Sequence, residues 1–68
     1  MNLLEIQNIF KAALSELYDT DELSAITRVV LTEVLNYSSA DLIFKEKEEI
    51  SPDHEVQLLS ILNRLIKS

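Results

Sequence analysis

Few residues in this chain could do acid–base chemistry. His54 is the only histidine and stands between Asp53 and Glu55. An imidazole flanked by carboxylates can carry a proton near neutral pH or ligate a metal. Either role needs partners converging from other parts of the chain, and the sequence has no cysteine and no second histidine to provide them. His54 therefore reads as an exposed residue in the first turn of a helix. The acidic pairs Asp19/Asp21 and Glu48/Glu49 have the residue types of a general acid and base, but helix starts favour carboxylates through the macrodipole without any chemistry. Glycine is absent, so neither G-x-G-x-x-G nor a phosphate-cradling loop exists and nucleotide chemistry has no foothold. The reading is no catalytic residue, no cofactor-binding residue and no metal ligand.

The aromatic residues point to packing. Tyr18 and Tyr37 each close a helix, where a ring can seal a bundle while its hydroxyl stays wet. Phe10 and Phe44 lie among aliphatic residues at helical spacing and are assigned to the core.

The elements that must hold these residues are helices joined by short polar turns, since without glycine every turn falls to Asn, Asp, Ser or Pro. Asn2 and Glu5 have the spacing of a capping box, and Leu3, Ile6, Phe10, Ala13, Leu14 and Leu17 make one apolar stripe behind it. Asp19 and Glu22 start a second helix over about 20–35. There Leu23, Ile26, Val30, Leu31 and Val34 face inward, Val29 widens the stripe, and Asn36 suits a left-handed ending. The β-branched Ile26, Thr27, Val29 and Val30 lower its intrinsic propensity, so packing must hold it. Ser38 and Ser39 can cap a short third helix through Phe44, and the run Lys45 to Glu49 reads as a solvated loop or frayed turn.

Ser51 followed by Pro52 is the clearest start signal, a capping serine ahead of a proline that needs no donor. The fourth helix runs to about Ile66. It carries Val56, Leu59, Leu62 and Ile66 in one stripe and Leu58, Ile61 and Leu65 in another. So broad an apolar surface fits a central place in a bundle or a face meant for a partner. One of Leu58, Ile61 and Leu65 is expected near a linker to a further domain.

Twelve acidic residues against six basic give a formal charge of −6, which opposes direct nucleic-acid binding and anionic membranes. No apolar run approaches the roughly 18 residues of a membrane span and Met1 to Glu5 lack the basic start of a signal peptide. A cytoplasmic location is the default. The expected fold is all-α: a small, irregular or orthogonal bundle of four helices, or five if the short third one splits, forming one domain over residues 1–68. With no disulfide or metal staple, helix packing alone must hold it.

In order and spacing the chain resembles the amino-terminal domain of the HemK/PrmC family, methyltransferases that modify a glutamine of peptide chain release factors. The resemblance rests on a helix from Leu3-Leu4 to Leu17, a second with Val29-Val30-Leu31-Thr32-Glu33-Val34-Leu35, the short Asp41-Leu42-Ile43-Phe44, and a helix from Ser51-Pro52-Asp53 through Leu58-Leu59-Ser60-Ile61-Leu62-Asn63-Arg64-Leu65. The chain departs from the family at Ile26-Thr27-Arg28, where many members have acidic-alanine-acidic, and at Asn36, where they have glycine. The resemblance implies an N-terminal fragment of a longer enzyme, ending near Ser68 ahead of an S-adenosylmethionine-binding catalytic domain absent from this sequence. It implies no activity and no cofactor for the fragment itself. Its implied partners are a release factor and that catalytic domain, with the bundle orienting the substrate in translation termination. Two other readings stand beside it. One is a free-standing helical adaptor or oligomerisation module that buries the fourth helix against a copy. The other is an acyl-carrier-like protein, for which Ser39-Ala40-Asp41-Leu42 is only a scrambled echo of the expected Asp-Ser-Leu.

Overall fold

Four backbone donors open the first helix, and each finds an acceptor. In the computed structural model, which describes residues 1–67, α1 spans Leu3–Leu14. Asn2 caps it: its side chain accepts from Glu5 N at 2.9 Å, while Glu5 Oε1 accepts from Asn2 N at 3.1 Å. Ile6 N closes the first helical bond on Asn2 O, and Leu3 N and Leu4 N donate to Glu48 O and Glu46 O at 3.1 and 2.9 Å. The charged run is thus more than a solvated loop. Its carbonyls satisfy donors that a helix start leaves orphaned, and an antiparallel bridge pairs Asn2 with Glu49. Ile50 N donates to Met1 O at 2.9 Å, and the Ile50 side chain is buried. We call this pairing of residues 1–4 with 46–50 the clasp. The Met1 amino group also meets Glu49 at 3.0 Å, and accepting that hydrogen bond the carboxylate holds the amine above its ordinary pKa.

The first helix ends sooner than its stripe. Leu17 N and Tyr18 N both donate to Leu14 O, which tightens the chain into a turn and delivers Asp19 in extended conformation as the next cap. Ala13 and Leu17 are therefore exposed, while Leu3, Ile6, Phe10 and Leu14 are fully buried. The second helix, α2 (Thr20–Leu35), opens with Asp19 Oδ1 accepting from Glu22 N and closes on Asn36 at φ 57°, ψ 39°. Asparagine tolerates that left-handed geometry. Leu23, Thr27, Leu31 and Leu35 form its buried seam at steps of four, Ile26, Val30 and Val34 are half-buried, and Val29 faces solvent.

The short α3 (Asp41–Phe44) begins behind a reciprocal pair: Asp41 N donates to Ser38 Oγ and Ser38 N to Asp41 Oδ2. Hydrogen bonding from the Ser38 amide holds the Asp41 carboxyl below the usual carboxylate range, with Lys45 adding to it. The assignment of Phe44 to the core is corrected here. A single turn of helix can bury only one side, and that side is Leu42, so Phe44 is left 84% exposed and Ile43 68%. Nearby, Lys45 Nζ sits 4.7 Å from the centroid of the Tyr37 ring, a contact worth about 0.5–1 kcal/mol at the surface.

The last helix, α4, spans Pro52–Lys67, with Ser51 Oγ accepting from His54 N. Its two expected stripes are regrouped. Leu58 and Leu62 are buried with Ile61 and Leu65 half-buried beside them, whereas Val56, Leu59 and Ile66 form an exposed strip. Leu58 is closed to solvent, while Ile61 and Leu65 keep part of their surface open.

The three long helices pack mutually, α1 on α2, α2 on α4 and α1 on α4, while α3 leans on α2. Among the described residues four helices and no strand are present, an all-α bundle. No described helix is long and apolar enough to cross a membrane. Tyr18 and Tyr37 pack partly buried against the core, as read from their helix-end positions.

Candidate functional site

A single turn of helix cannot cover the side of α2 it leans on, and the result is a groove. The groove has a volume of about 460 Å³, within the range of ligand-sized clefts. One wall is α1, contributing Gln7 and Lys11. The other is α2, contributing Ser24, Thr27, Arg28 and Leu31 at helical spacing. Ser39, Leu42, Ile43 and Glu46 close the far side. Gln7 Nε2 donates to Leu42 O at 3.2 Å and so ties α3 across to α1.

Two features set this groove apart. The first is Thr27, which is 4% exposed and whose hydroxyl has no hydrogen-bond partner. A buried hydroxyl left unpaired costs roughly 1–3 kcal/mol, a large sum for so small a domain. The second is charge. Lys11 and Arg28 stand exposed on opposing walls, and among the described residues neither forms an ion pair. The sequence reading treated Thr27 only as a β-branched residue. Its spacing from Leu23, Leu31 and Leu35 was the signal that it belongs to the seam.

None of the candidate chemical groups comes together here. His54 is half-buried at the start of α4, Asp19 and Asp21 flank the start of α2, and Glu48 and Glu49 belong to the clasp. Among the described residues no group of three His, Cys, Asp or Glu side chains is placed to hold a metal ion. Ser39 precedes α3 and lines the groove. The groove does not suit S-adenosylmethionine: its apolar floor of Leu31 and Leu42 has no glycine through which a backbone could approach the cofactor. What the arrangement can do is hold an apolar, negatively charged group between two helices.

A family model described as the PrmC N-terminal domain matches residues 5–68. No curated protein and no solved structure matches the chain.

Proposed function

Because the chain belongs to the PrmC N-terminal domain family, we propose that it is the substrate-recognition part of a protein-glutamine N5-methyltransferase acting on peptide chain release factors. The family match over residues 5–68 is the observation that carries this reading. In it, S-adenosylmethionine and the methyl transfer belong to a separate catalytic domain, and the bundle works by holding the release factor in place. The cytoplasm, where translation terminates, is its place of action. Two surfaces support a docking role. The groove between α1, α2 and α3, with exposed Ile43 at its edge, is the side offered to the release factor. The exposed strip of Val56, Leu59 and Ile66 on α4 is the side offered to the catalytic domain.

Calorimetric titration of the chain with a purified release factor tests the reading. Saturable binding in the micromolar range is expected, with none to an unrelated acidic translation protein. Absence of binding at several hundred micromolar, on the order of −5 kcal/mol or weaker, would overturn it.

A further inference from the structure

We infer that the groove between α1, α2 and α3 takes an acidic–apolar peptide segment, an aliphatic side chain flanked by carboxylates. The inference rests on the reading of this face as a protein-recognition surface and deepens it by naming the chemistry of what docks there. The charge distribution is the first ground. The chain has twelve acidic and six basic residues, yet the groove is lined by two of the basic ones and only one of the acidic, Glu46. Lys11 and Arg28 face it from different helices without ion-pair partners among the described residues, so an incoming carboxylate meets cations that it need not detach from other acids. The strong negative charge of the remainder repels a nucleic-acid backbone, which would have to lie across far more surface than this. A short peptide brings its charge to the groove alone.

The apolar lining is the second ground. Leu31 and Leu42 form a floor and Ile43, largely exposed, forms an open edge, which suits an aliphatic side chain more than a fully polar one. Thr27 is the third. A helix position built only for packing would hold an aliphatic residue like its neighbours in the seam, whereas this one keeps a buried hydroxyl without a partner. The oxygen has almost no surface open to solvent, so it can serve an occupant's backbone only once the threonine side chain rotates toward the groove.

Amide chemical shifts of the 15N-labelled chain, titrated with two blocked hexapeptides, test the inference. One is Asp-Leu-Glu-Ile-Asp-Leu and the other its uncharged twin, Asn-Leu-Gln-Ile-Asn-Leu. The acidic peptide is expected to shift the amides of Arg28, Leu42 and Ile43 and to bind about tenfold more tightly than the twin at low salt, the gap closing as salt is raised. Lys11→Glu and Arg28→Glu, both at exposed positions, are expected to abolish the preference while leaving the helical circular dichroism unchanged. Equal affinity for the two peptides overturns the inference. So do shifts centred on Val56, Leu59 and Ile66, no shift at millimolar peptide, or a dimer in sedimentation whose groove is closed to both peptides. If the peptides fail while a release factor still binds, the groove assignment falls and the recognition reading stands. If the acidic peptide binds as expected and a release factor does not, the groove assignment stands and the named partner falls.

Discussion

The clasp and the groove lie on the same small bundle and treat polar groups in opposite ways. At the clasp, the donors that open α1 all find acceptors, from Asn2 or from the carbonyls of Glu46 and Glu48. At the groove a hydroxyl is buried without a hydrogen-bond partner and two cations stand outside any ion pair, both among the described residues. The clasp, which meets the groove at Glu46, is finished as structure. The groove carries a local cost, and departures of this kind gather at sites that serve something besides stability.

The largest effect expected from that contrast comes from truncating the residue beneath the clasp. Leu3 is fully buried, so Leu3→Ala is expected to destabilise the domain by about 2–5 kcal/mol, enough to unfold much of it. Ile43→Ala at the open edge of the groove is expected to change stability by less than about 0.5 kcal/mol. Urea denaturation followed by circular dichroism compares the two, and similar losses would erase the distinction.

Next in size is the cap. Asn2 accepts from Glu5 N within a reciprocal box, so Asn2→Ala is expected to cost about 1 kcal/mol, read as a lower urea midpoint with an unchanged slope. In the groove the sign reverses: Thr27→Val keeps the shape and removes the unpaired hydroxyl, and it is expected to stabilise by about 1 kcal/mol. A loss of stability on that change would mean the hydroxyl is satisfied after all.

The smallest effect is a pH dependence. Hydrogen bonding from the Ser38 amide lowers the Asp41 pKa in the folded chain. A carboxylate whose folded pKa is depressed adds stability that is present above its unfolded pKa, about 3.9. That stability is lost as the pH falls through the folded value. Asp41→Asn is therefore expected to lower the neutral plateau of the urea-midpoint profile slightly and to flatten its acid side, the two profiles meeting once the pH is below the folded pKa. An identical acid slope in the variant would show that the carboxylate contributes nothing there.

How much of this was legible in the sequence depended on whether the signal was local. The limits of α2, the left-handed Asn36 and the Ser51-Pro52 start were readable because caps act within a few residues of themselves. The clasp was not, because its bonds join residue 1 to 49 and 50 and residues 3 and 4 to 48 and 46, and nothing in a charged run announces that its carbonyls will serve a distant helix. For the same reason Ile50 was missed as a core residue. Phe44 was misplaced because α3 ends after one turn, too short for helical spacing to decide which side chain turns inward. On α4 the stripes Leu58–Leu62 and Val56–Ile66 are equally apolar, and only the positions of α1 and α2 choose between them. The groove was illegible for a compound reason. It is made of residues from three helices and two connecting segments, and its distinguishing group, Thr27, resembles any β-branched helix residue until its neighbours bury it.

The claim that the open groove is where a protein partner docks is tested most directly by mapping a release factor onto the 15N-labelled chain. Broadening or shifts are expected at the amides of Ser24, Arg28, Leu42 and Ile43, while those of Leu3 and Ile50, locked in the clasp, stay as they are. Perturbation confined to the clasp, or to the exposed strip of α4, would contradict it.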